Sequence, residues 1–200
     1  TGIATTGAHK TTFGGSNDAF LVKFNSSGVR QWGTYYGGTG SDHGYSCATD
    51  ASGNVYLAGD AQYSFTGIAT GGAHQTAIGS YPVSAFLVKF NSSGARQWGT
   101  YYGNNLPDYG RSCATDASGN VYLAGSAGSS TGIATTGAHQ TTRGASSNDA
   151  YLVKFNSSGV RQWGTYYGGT SNDYGNYCAT DASGNVYLAG SSPSTTGIAT

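Results

Sequence analysis

The chain contains no glutamate and no methionine, and charged residues make up only 9% of it. Its nine acidic side chains are therefore all aspartate, balanced by nine Lys and Arg for a formal net charge of zero. That leaves no basic footprint of the kind nucleic-acid binders carry, so no nucleic-acid partner is expected. No apolar run approaches the roughly 20 residues of a membrane-crossing helix, so no membrane span is expected either. Three cysteines, with no CxxC among them, make no self-contained disulfide framework. There is no nucleophile elbow, no phosphate-binding loop and no pair of carboxylates set for glycoside hydrolysis. No enzyme activity, cofactor or metal is expected. The sequence lacks an initiator methionine and a signal peptide and reads as mature, trimmed or excised. A polar surface poor in Lys and Glu suits an extracellular or cell-surface location.

What the chain has instead is 34 Gly, 16 Tyr, 7 Phe and 3 Trp. Disordered chains are poor in aromatics and rich in charge, so this one should fold. Its Gly, Ser, Thr and Asn are the turn residues of an all-β protein.

Those residues are not scattered. Cys47, Cys113 and Cys178 lie 66 and 65 residues apart, as do Trp32, Trp98 and Trp163. TGIAT begins at Thr1, Thr66, Thr131 and Thr196. The chain is about three repeats of 65–66 residues plus a five-residue overlap. It begins and ends at the same phase, which reads as a window on a longer array.

Within each unit, CATDASGNVYLAG folds on itself. Asp50 and Asn54 can bond their own backbone, and Gly53 accepts the positive φ of a tight turn. A lean strand, YSCATD, precedes the turn and a bulkier one, NVYLAG, follows. Upstream, AFLVKF and RQWGTYY flank the turn Asn25–Gly28. Phe20, Val22 and Phe24 share one face of the first, and Arg30, Trp32, Thr34 and Tyr36 one face of the second. Both faces carry apolar residues, as in a small sheet covered on both sides. A repeated four-stranded antiparallel sheet packed on its own kind is a β-propeller-type blade. From inside out the order is YSCATD, NVYLAG, AFLVKF, RQWGTYY. Residues 1–37 then supply an outer half-blade, 45–103 and 109–168 whole blades, and 177–190 an inner half-blade. The halves are to be completed by neighbouring repeats or chains, since propellers need ~4–8 blades to close. Phe20, Val22, Phe24, Trp32, Val55, Leu57 and their counterparts are the expected core.

The combination TGIATTGAHQT, DAFLVKFNSSGVRQWGTYYGG and CATDASGNVYLAG resembles the SBBP repeat, in every unit. That family takes its name from seven-bladed β-propellers and occurs in bacterial surface and secreted proteins. The resemblance implies the fold and carries no catalytic residues. Three units stand here where the name implies seven.

The units differ mainly in two loops on one face of the disc. One contains Asp42, Asp108 and Asp173, exposed candidates for a ligand or ion. Tyr35, Tyr101 and Tyr166 are candidate linings of shallow glycan sites between blades. The loops either hold binding specificity or drift unconstrained. Other recurrent residues have structural readings: His9, His74 and His139 bond within their own loop, with metal ligation the less favoured use. Asp50, Asp116 and Asp181 cap turns, being too few for calcium. Asn25, Asn91 and Asn156 head sequons that a tight turn explains, and sugars on Thr5, Thr6, Thr135 and Thr136 are left open. The cysteines are small buried residues or pair with another unit or chain. Two functions compete: a non-catalytic structural protein that self-assembles head to tail into a filament, tube or ring, and a carbohydrate-binding surface propeller.

Overall fold

The computed structural model describes residues 2–144 and 148–198. Thr1 of the first TGIAT, stretch 145–147 of the QTTRGASSND connection and residues 199–200 of the last TGIAT lie outside the described residues. Every regular element among them is a strand. Two strands, β1 (Ala19–Phe24) and β2 (Arg30–Tyr36), form a two-stranded sheet. Next come β3 (Ser41–Thr49), β4 (Val55–Gln62), β5 (Val83–Phe90) and β6 (Arg96–Tyr102), hydrogen-bonded in that order. The third sheet repeats this order with β7 (Asp108–Thr115), β8 (Val121–Ala127), β9 (Asp149–Phe155) and β10 (Arg161–Tyr167). A final pair, β11 (Tyr174–Thr180) and β12 (Val186–Ser191), follows. All pairings within these sheets are antiparallel. These are blade-type sheets, and in the complete ones the strand order is the order expected from the sequence.

Local chemistry fixes the hairpins. Asp50 Oδ1 accepts the backbone N–H of Ser52 and of Asn54, both at 3.0 Å, and Gly53 follows at φ +76°. Asn25 Oδ1 likewise accepts from Ser27 at 3.0 Å and Val29 at 2.8 Å. Both side chains mimic a backbone turn, which pins the register of the strands they join. Each inner strand then carries a bulge, where Tyr45, Arg111 or Asn176 is the extra residue. A bulge re-aims its side chain, so this position is released from the sheet's alternation.

The core lies between successive sheets. Tyr36 of β2 packs on Phe86 and Phe90 of β5, at ring separations of 5.2 and 5.8 Å. One unit on, Tyr102 meets Tyr151 and Phe155 at 5.4 and 5.9 Å. Trp32 donates its indole N–H to Ser92 O, and Trp98 to Ser157 O, each at 3.1 Å. These tryptophans cover a turn glycine of the next unit: a Cβ on Gly94 would sit 2.9 Å from Trp32.

The expected core needs one correction. Phe86, Val88 and Phe90 are fully buried, as are Val153 and Phe155, but Phe20 and Phe24 are 56% and 58% exposed. Their face of β1 meets no preceding sheet among the described residues. Leu21, on the opposite face of β1, is buried against Phe86's neighbourhood in the same cluster as Leu57 and Tyr36.

Candidate functional site

The three loop aspartates are not exposed: Asp42, Asp108 and Asp173 each show 1% or less of their surface. Asp42 already lies within β3 and Asp108 opens β7. Each carboxylate closes a tight loop and ties it to a serine of the following connection. Asp42 Oδ2 accepts from Gly38 N at 2.8 Å and Ser64 Oγ at 2.7 Å. Asp108 Oδ2 accepts from Asn104 N at 3.0 Å and Ser129 Oγ at 2.5 Å. Asp173 Oδ2 accepts from Gly169 N at 2.7 Å and Ser194 Oγ at 2.9 Å. Burial pushes the Asp108 carboxyl up to about 6, against the pull of its Ser129 bonds. Asp42 is raised too, by burial first. Such groups are staples within the blade rather than loop contacts for a ligand.

The tyrosines follow suit. Tyr101 is 1% exposed and Tyr166 fully buried, with their phenols donating to Ser64 O and Ser129 O. Neither ring offers a face to a sugar. Tyr35 alone is half-buried, packed edge-on to Phe13.

Histidine has a packing role that the sequence reading missed. His9 sits between Tyr36 and Phe90, and His74 between Tyr102 and Phe155. Burial lowers both to about 4, so they stay neutral in near-neutral solution. The three cysteines are free thiols, Cys47 exposed and Cys113 buried. Asp50 and Asp116 are held below the usual carboxylate range by their turn hydrogen bonds and the nearby Lys89 and Lys154, against the opposing pull of burial. No group of three or more His, Cys, Asp or Glu among the described residues could hold a metal ion.

What the structure does present are two sheet edges. Among the described residues, β1 is bonded only to β2, and β12 only to β11. Beside β1 opens a cleft of about 590 Å³, lined by Phe20, Val22, Phe24, His43, Tyr45 and Cys47 among others. Beside β12 opens one of about 420 Å³, lined by Tyr167, Tyr174, Leu188, Gly190, Ser191 and Ile198 among others. Tyr177 and Tyr187 on this side are 72% and 57% exposed, whereas Tyr56 and Tyr122, counterparts of Tyr187, are buried. An unpaired row of backbone donors and acceptors beside exposed aromatic rings is a template for strand addition.

Residues 97–132, from β6 through β7 and β8 into the third TGIAT, match the family model described as SBBP, Beta-propeller repeat. That stretch is similar to the SBBP repeat. A search of curated proteins finds no significant match to the chain.

Against the SBBP repeat, one polar cluster stands out because it occurs once. His43 replaces the tyrosine at Tyr109 and Tyr174, Asp60 the serine at Ser126 and Ser191, and Arg111 the bulge residue that is Tyr45 or Asn176 elsewhere. Asp60 is fully buried; its Oδ2 lies 3.2 Å from His43 Nδ1 and accepts from Gln62 Nε2 at 3.0 Å. Arg111 reaches across from the next sheet to 3.9 Å from Asp60 Oδ1, its guanidinium over the rings of Tyr45 and Tyr109 at 4.5 and 5.0 Å. The arrangement clips two blades together by cation–π stacking and charge. Subtracting one unit from another would have found it: at these positions the other units carry only Tyr, Ser or Asn.

Proposed function

We propose that the chain is a non-catalytic, extracellular structural repeat protein that self-assembles head to tail through shared blades. The observation that carries the reading is the pairing of two free edges with opposite needs. β1 and β2 are outer strands with an uncovered Phe20–Phe24 face, and β11 and β12 are inner strands with an uncovered Tyr187 face. Each end supplies what the other lacks. A contact between unlike surfaces is heterologous, and it generates a ring if the rotation closes and a filament or tube if it does not. The charge-poor, lysine-poor composition supports the extracellular setting. Catalysis is set aside because the recurrent aspartates are engaged in turns and loop staples.

The glycan-binding reading loses its platforms with Tyr101 and Tyr166 buried, and no other observation favours it. Static light scattering over a concentration series tests the proposal. Mass rising beyond that of one chain supports it, whether the product is a ring or a fibre. A monomer at every concentration overturns it.

A further inference from the structure

The two free edges carry sequences that already pair inside the chain. VYLAGS forms β12 and opens β8, and β9's AYLVKF differs from β1's AFLVKF by one ring hydroxyl. β8 takes β9 on its edge in the register Val121↔Phe155 to Ala127↔Asp149. We infer that a second copy of the chain fills the β12 edge with its own β1–β2 pair, in the β8–β9 register, making one mixed four-stranded blade. The inference rests on the self-assembly proposed above and specifies the contact. Transferred position by position, Val186 lies opposite the second copy's Phe24, Leu188 opposite its Val22, and Ser191 opposite its Ala19.

Three features of different kinds point to that occupant. The first is charge. Within the complete sheets Lys89 lies 3.9 Å from Asp50, and Lys154 lies 3.5 Å from Asp116. Asp181 and Lys23 are the remaining members of the two series, and they sit at opposite ends of the chain. The second is shape. A Cβ on Gly94 or Gly159 would collide with Trp32 or Trp98, but one on Gly28 would meet nothing within 4 Å. Trp163 is the tryptophan whose glycine would be the second copy's Gly28. The third is aromatic packing. Tyr36 and Tyr102 each take a pair of rings from the following sheet. Tyr167 would take the second copy's Phe20 and Phe24, both exposed here.

Disulfide mapping tests the register. Single-cysteine additions A19C, F24C, S191C and V186C are made in the full chain, mixed in pairs, oxidised in air and mapped by mass spectrometry. Interchain bonds 19–191 and 24–186 are expected, with 24–191 and 19–186 at least tenfold weaker. F24C and V186C alter positions at least partly exposed in the chain, so the register can be read even if A19C folds poorly. Association by light scattering without these bonds, or with 24–191 favoured, overturns the register while leaving self-assembly standing. A chain that stays monomeric overturns both the contact and the self-assembly on which it rests.

Discussion

Phe90 and Phe24 occupy the same place in two copies of one strand, yet the first is fully buried and the second 58% exposed. Tyr122 and Tyr187 make the same contrast at the other end, 1% against 57%. The strands are alike and the neighbours are not. Burial in a repeat array is set by the sheet on either side, so stability is approximately a sum of unit and interface terms. The end sheets keep their hairpins, held by local turns, but among the described residues each packs on one neighbouring sheet rather than two.

The largest expected difference comes from removing the same ring at both places. Phe90→Ala should cost about 3–5 kcal/mol in chemical denaturation, as large-to-small changes in a packed core do. Phe24→Ala should cost less than about 1 kcal/mol under dilute conditions, as surface changes do. Trp98→Ala belongs with Phe90, since its ring is 9% exposed and closes on the Gly159 turn. Equal costs for Phe90 and Phe24 would break the comparison.

A second contrast lies within one blade and is read by pH. Asp108 is raised to about 6 by burial, while Asp116 is held below its ordinary 3.8 by its turn bonds. The signs are opposite. The stability linked to Asp108 is fully present below 3.8 and is lost as pH rises through about 6. That linked to Asp116 is present above 3.8 and is lost as pH falls through its depressed value. Carbon-13 titration of the side-chain carboxyls should give the Asp108 midpoint near 6 and the Asp116 midpoint below 3.8. Coincident midpoints would contradict the staple geometry.

The smallest expected effect concerns a departure at the joint. Ser46 Oγ accepts from Cys113 N at 3.2 Å, and Ser112 Oγ from Cys178 N at 3.1 Å. The third position of this ladder is Tyr177, which has no hydroxyl at that reach. Tyr177→Ser should restore one hydrogen bond to the second copy's Cys47, tightening association about threefold, within the usual worth of such a bond of about 0.5–1.5 kcal/mol. Sedimentation velocity would register the change, and weaker association would place Tyr177 in a favourable contact instead.

Much of this fold was legible because its signals are local and written three times. Asp50, Gly53 and Asn25 set the turns, and strand order in the complete sheets followed from lean inner and aromatic outer strands. The candidate sites were less legible, for a physical reason. Asp42, Asp108 and Asp173 follow variable, glycine-rich stretches, which usually signals exposure, but their bonds go to serines more than 20 residues away. Nothing in the local pattern announces such a partner. The Phe20–Phe24 face was misjudged because periodicity shows that a face is apolar and says nothing of what covers it. His43, Asp60 and Arg111 were visible only by subtracting one unit from the next.

The most direct test of the account is backbone hydrogen exchange measured at low and at high protein concentration. At low concentration, amides of β8 and β9 should be strongly protected and the outward-facing amides of β12 and β1 should exchange freely. At high concentration, protection should rise at Val186–Ser191 and Ala19–Phe24 together, and change little elsewhere. Protection that stays low at both edges, or rises at only one of them, would contradict a joint in which each end completes the other.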